Sequence, residues 1–285
     1  MEMKFRDGYL DGVYANITTT VLFFILFVIG YFIFALLSVR KRKKLMNCFG
    51  VSNSNPTFKI FVSRIEVKGG PDTGPIEDLL EGYIGLCINK PEYDSALAFR
   101  SLMLVEWLPR FPKRLHEWFT TKNYTFVDLQ PQVEISPHQG SPDKDFDAIE
   151  SSNLLLIGGN VYNSLSKRFF DSNNSILCLK KTAKQPNEQS VINKELNQTY
   201  FSRSEGRELA IVQRIKINDA TVTVCAGTGT GATCEAVNYI IKNWEQHFDK
   251  SSKGDFALVL AWNSVINVNE PFKRDPDAIF PWYKT

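Results

Sequence analysis

Polarity along the chain changes abruptly near its N-terminus. No charged side chain occurs between positions 12 and 39, and 21–37 reads VLFFILFVIGYFIFALL, apolar and aromatic on every helical face. At 1.5 Å of rise per residue, about 20 apolar residues cross a bilayer, so 17–39 is expected to be a transmembrane helix. A core helix would keep a polar stripe, which this segment lacks. Five consecutive cations follow, Arg40, Lys41, Arg42, Lys43 and Lys44. Such a block faces the cytoplasm, which predicts a single-pass cell-membrane protein with the tail 1–16 outside and the large C-terminal part cytoplasmic. A cleaved signal peptide carries its charge before a shorter apolar run, the reverse of what stands here.

After a basic juxtamembrane linker over 40–57, turn-rich from Asn47 onward, the rhythm alternates. A strand is expected at 58–67, a helix at 76–88 opened by Pro75, and a second helix at 91–108. Short strands follow at 124–129 and 133–135, then a buried strand at 154–157 and a helix presenting Val161, Leu165 and Phe169. A strand at 176–179 precedes the polar stretch 185–205, read as a surface loop or flap. Segments 208–217 and 221–226 flank Asn218-Asp219-Ala220 as a hairpin. Ala236, Val237, Ile240, Ile241 and Trp244 mark a last helix, and 256–261 a closing buried strand. This alternation predicts an α/β fold, a Rossmann-like three-layer cytosolic domain over 58–285 with a largely parallel sheet.

A strand–glycine–helix unit occurs twice, at 153–170 and at 221–244. Glycine at a strand end lets a ligand approach the amides, and the following helix aims its unpaired N–H groups at that spot. In open α/β sheets ligands lie outside the carboxyl ends of the strands. The expected ligand-binding residues are therefore Gly158, Gly159, Asn160, Asn163 and Ser164 from the first unit. Gly227, Thr228, Gly229, Thr230 and Gly231 come from the second. The second run is not G-x-G-x-x-G, and no G-x-x-x-x-G-K-[ST] is present, which disfavours a P-loop nucleotidase.

The pattern loosely resembles the SLOG family, Rossmann-like domains that bind nucleotides or nucleotide-derived signals and in some members hydrolyse them. Their second turn reads G-G-x-G-T-x-x-E. Gly227-Thr228-Gly229-Thr230 stands in that place, with Glu235 five residues past Thr230, later than the family's glutamate. With its anchor, the chain is similar to prokaryotic antiviral-defence effectors of SLOG/CARF type, in which a messenger-binding domain is tethered to a transmembrane helix. The resemblance implies a sensor or effector that binds a nucleotide-like or other anionic small molecule and acts as a homo-oligomer at the lipid bilayer. Two other classes compete. One is a membrane-tethered nucleoside or dinucleotide hydrolase or transferase using Glu235 or Glu134. The other is a non-catalytic membrane scaffold whose glycine turns only pack.

Charge adds one exclusion. The 285 residues carry 33 basic and 31 acidic side chains, net +2, and the block at 40–44 supplies the excess. The remainder, 45–285, has 26 basic and 28 acidic residues, which argues against broad nucleic-acid binding. The five cysteines contain no C-x-x-C, and no H-x-x-x-H pair exists, so neither a zinc site nor any cofactor is expected. Asp143, Asp145 and Asp147 fit a helix start better than a metal site. His116 and His138 stand alone, and His247 suits the C-terminal dipole of its helix.

Overall fold

Helix α1 (Glu2–Cys48) runs unbroken through the apolar segment and the basic block. Its stretch Asn16–Phe34, mean hydropathy 2.5 and unburied, is long and apolar enough to span a membrane. The computed structural model describes residues 2–52, 55–68, 84–103, 131–137, 151–181, 189–201, 207–251, 254–263 and 277–284. The expected strand 124–129, the aspartates at 143, 145 and 147, and His116 and His138 lie outside them.

The segment expected as a linker is built differently. The helix continues to Cys48 and closes on Gly50, whose φ of +80° suits the left-handed stop of a Schellman cap. Its amide bonds the Asn47 carbonyl (3.1 Å), and that of Val51 reaches back to Met46 (2.9 Å). Leu45, Met46, Cys48, Phe49 and Val51 are buried. The Phe49 ring meets Phe99 edge-on, 4.8 Å between centroids. Arg214 Nε donates to the Cys48 carbonyl, occupying one of the helix's last unpaired acceptors. Arg214 is itself buried and paired with buried Asp255 (3.0 Å). The base of α1 is thus part of the core, because its apolar residues and its carbonyl end find partners there.

The remaining elements are β1 (Phe58–Val62), β2 (Arg64–Lys68), β3 (Ile84–Ile88), α2 (Lys90–Met103), β4 (Gln132–Ile135), β5 (Asn153–Ile157), α3 (Ser164–Asp171), β6 (Leu177–Lys181), β7 (Gln189–Asn193), β8 (Gln198–Phe201), β9 (Arg207–Ile217), β10 (Ala220–Gly227), α4 (Thr230–Lys250), β11 (Phe256–Asn263) and β12 (Asp277–Tyr283). Seven strands form one sheet in the order β12-β11-β9-β10-β5-β1-β4. β4, β1, β5 and β10 pair in parallel; β9, β11 and β12 join by antiparallel pairing. The sheet is therefore mostly parallel by strand direction, with an antiparallel flank. The expected β9–β10 hairpin forms and turns on Asn218 (φ +53°) and Asp219, while Ala220, expected in the turn, opens β10 opposite Ile217.

Three expectations change. The strand 58–67 is interrupted at Ser63, beyond which β2 pairs with β3. Residues 84–88, expected to end a helix, are that β3. The polar stretch 185–205 holds β7 and β8; β7 pairs with β6, and β8 with β7, in a separate three-stranded sheet. Polarity misled there because β8 keeps its side chains largely in solvent.

One face of the large sheet carries Phe58, Ile60, Val62, Leu155, Ile157 and Val212 against α2, α4 and the base of α1. The other carries Phe61, Leu154, Leu156, Ile211 and Val224 against α3, β6 and β7. Strand alternation sorts neighbours such as Ile60 and Phe61 to opposite faces. Helix α4 buries Ala232, Ala236, Val237, Ile240 and Trp244 on one stripe. Each large side chain of that kind contributes about 1.5–3 kcal/mol of burial. His247, expected to face the helix dipole as a cation, is buried instead. Its Nε2 bonds Tyr239 Oη (2.9 Å) and its Nδ1 bonds Tyr283 Oη (2.8 Å). Burial lowers its pKa to about 4, so the ring is neutral.

Candidate functional site

Because β5 and β10 are parallel neighbours, the two glycine turns emerge side by side at their carboxyl ends. The Gly158 amide bonds the Cys225 carbonyl (3.0 Å), and a Cβ on Gly159 would lie 3.8 Å from the Gly227 carbonyl oxygen. The sequence-predicted residues are thus brought together in space. Their side chains are not equally available.

The first turn is occupied by the protein itself. Gly158 (φ +114°) is buried, and a Cβ there would collide with Ser63 Oγ and approach Glu92 Oε2 to 3.2 Å. Asn160 Nδ2 donates to the Leu179 carbonyl (2.9 Å). Asn163, fully buried, caps α3 by accepting the Ser166 amide (3.0 Å), while its Nδ2 donates to the Ile157 carbonyl (3.0 Å). Ser136 Oγ donates to Asn163 Oδ1 (3.1 Å) and accepts the Ser164 amide (3.1 Å). Ser164 Oγ is committed to the Pro137 carbonyl (2.6 Å). The N-terminus of α3 is therefore already satisfied.

The second turn is closed at its base and open at its tip. Gly227 sits where a Cβ would overlap Ala232, and its amide bonds Thr233 Oγ1 (3.0 Å). Thr228 clips the turn to β9: its amide and Oγ1 both reach the Leu209 carbonyl, at 2.9 and 3.2 Å. Gly229, Thr230 and Gly231 are exposed. Gly229 is the N-cap of α4, extended in backbone and without a side-chain cap bond, and the first turn of α4 contains no acid. A Cβ on Gly229 would meet nothing within 4 Å. The helix end thus presents amides and the positive dipole end to open space. One carboxylate approaches it: Glu208 Oε2 lies 3.9 Å from where a Gly231 Cβ would stand.

Of the two carboxylates singled out as catalytic, Glu134 lies in the edge strand β4 and pairs with Lys59 (3.0 Å). Glu235, one turn into α4, contacts Asn238 Nδ2 at 3.5 Å. Neither is arranged as an acid–base pair. Three residues at the turns escaped the sequence reading. Ser63 directly follows β1; Asn89 Nδ2 donates to Thr230 Oγ1 (3.1 Å), joining the starts of α2 and α4; and Glu92 is a buried carboxyl beside Gly158. Burial pushes the Glu92 carboxyl up, opposed by the Ser63 hydroxyl and amide. The spacing Asn89-x-x-Glu92 was the available signal. Among the described residues no cluster of three His, Cys, Asp or Glu side chains could hold a metal. The Cys48 thiol is pushed up to about 12 and those of Cys178, Cys225 and Cys234 are raised, in each case chiefly by burial, so none is an activated nucleophile.

No protein-family profile matches the chain, and no curated protein does.

Proposed function

We propose that this chain is a membrane-anchored sensor or effector whose cytoplasmic, Rossmann-like domain binds a nucleotide-like anionic small molecule at the N-terminus of α4. The observation that carries the reading is the uncapped, exposed Gly229–Gly231 end of α4, at the carboxyl ends of parallel strands. A second observation favours sensing. The far end of the same helix pairs with the base of α1, Lys44 Nζ lying 3.1 Å from Glu245 Oε1 and 2.6 Å from Asp249 Oδ2. One 21-residue helix therefore connects the ligand end to the membrane helix, a span of about 30 Å. Orientation follows from the cations at 40–44, with the N-terminus outside. In the resembling effectors the response is a rearrangement of membrane-helix oligomers, and the same output is proposed here, in antiviral defence.

The test uses the full chain in lipid nanodiscs, since the base of α1 belongs to the core. Nucleotides, cyclic oligonucleotides and inorganic pyrophosphate are screened for thermal stabilisation, and binders for turnover. Gly229→Asp is expected to separate fold from binding. Aspartate is a good N-cap, so the melting temperature holds or rises slightly. Its carboxylate repels an incoming anion, so affinity falls ten-fold or more. Unchanged affinity in this folded variant would remove the site from α4.

A further inference from the structure

Helix α1 is unbroken from its apolar span to the core of the domain, so helical geometry fixes where the cations at 40–44 stand. Each residue rises 1.5 Å, which places Arg40 to Lys43 within about 6 Å of Val39, the end of the uncharged run. The headgroup layer on each side of a bilayer's hydrocarbon is about 5–7 Å deep. These cations therefore fall at headgroup level when the apolar run spans a membrane.

The block does not act as one patch, because the domain takes part of it. Lys44 Nζ reaches Glu245 Oε1 (3.1 Å) and Asp249 Oδ2 (2.6 Å) on α4. Arg42 is half-buried, one turn before buried Met46. Arg40, Lys41 and Lys43 are exposed, and among the described residues no ion pair engages them. Arg40, Lys43 and Asn47 follow at i, i+3 and i+7, an exposed stripe on the side of α1 away from buried Leu45 and Phe49. Three like charges so close repel one another and gain from a surface of opposite sign. Glu245 and Asp249 would repel that surface, and Lys44 stands against both of them.

We propose that Arg40, Lys41 and Lys43 form a docking surface for anionic phospholipid headgroups, with Lys44 withheld from the lipid by α4. This rests on the membrane-anchor reading above and adds the class of lipid that the anchor prefers. A headgroup such as phosphatidylglycerol carries a net negative charge, whereas phosphatidylcholine is zwitterionic and offers none. Each Lys or Arg at the surface strengthens association with anionic lipid about five-fold. Because the same helix ends in the core at Cys48, lipid held at 40–43 also fixes how far the domain sits from the bilayer.

Electron paramagnetic resonance tests this on the full chain in phosphatidylcholine bilayers with trace spin-labelled phosphatidylglycerol or phosphatidylcholine. The fraction of label held at the protein reads the relative association constants. The label averages over all lipid around the helix in both leaflets, so a preference for phosphatidylglycerol of about three-fold or more is expected. Replacing Arg40, Lys41 and Lys43 together by Gln, a good helix former, should bring it below about 1.5-fold, while Lys44→Gln should keep it. In 1 M salt, where the screening length is about 3 Å, the native chain should also fall below about 1.5-fold, a readout independent of any variant's folding. No preference in the native chain overturns the inference. So does a preference that survives the triple substitution or 1 M salt, or one that Lys44→Gln abolishes as fully as the triple variant. A native chain that alkaline carbonate strips from these bilayers overturns the membrane reading together with it. A chain that resists extraction yet shows no preference overturns this inference alone.

Discussion

The two glycine turns begin alike, each following a buried parallel strand and opening a helix, yet they end differently. At Gly158 the backbone adopts a left-handed conformation because Ser63 and Glu92 fill the space a side chain would need, and Asn163 closes the helix end that follows. At Gly229 the backbone is extended, nothing surrounds it, and the helix end stays open. Glycine at the first turn is a requirement of packing. At the second it leaves a surface clear. A helix N-terminus becomes a binding site only where the protein has not already supplied the acceptor.

Exchanging single residues between these roles sharpens the contrast. Gly158→Ala combines a forbidden φ with a collision and is expected to cost roughly 2–4 kcal/mol in denaturant unfolding, whereas Gly229→Ala stays within about 0.5 kcal/mol. Equal costs would abolish the distinction. Next in size, Asn163→Ala removes a cap and leaves buried partners unpaired, for about 2 kcal/mol; Thr230→Ala at the open end should be near neutral. The far end of α4 offers a pH readout. His247 has a native pKa near 4 against 6.5 unfolded, so its contribution is complete above pH 6.5 and is lost as pH falls toward 4. The amount is about 3 kcal/mol, visible as a melting-temperature slope that His247→Gln lacks. Smallest is Glu208→Gln, which removes a negative charge beside the open turn and should raise pyrophosphate affinity about three-fold while leaving stability unchanged. A loss of affinity there would mean that Glu208 contacts the ligand favourably.

The base of α1 and the tip of α4 form a second instructive pair. The sequence Asn47-Cys48-Phe49-Gly50 reads as a flexible connection because polar and turn-forming residues dominate its neighbourhood. In the fold it is a helix stop held by Arg214, Phe99 and a left-handed glycine. Deleting the residues before 57 would therefore remove part of the core.

Locally encoded features were legible from the chain alone. The apolar helix, the Asn218-Asp219 hairpin, the strand at β5, the stripe on α4 and the position of both glycine turns all follow from periodicity and turn chemistry acting over a few residues. Contacts between distant segments were not legible. The cap of α1 is completed by Arg214, the first glycine turn is filled by Ser63 and Glu92, and β7 and β8 are strands because β7 pairs with β6 and β8 with β7. Propensity and hydrophobic period specify which elements form, since they depend on neighbours in sequence. Which helix end stays open, and which turn a buried carboxyl fills, depends on what the fold packs there, and only the tertiary structure decides that.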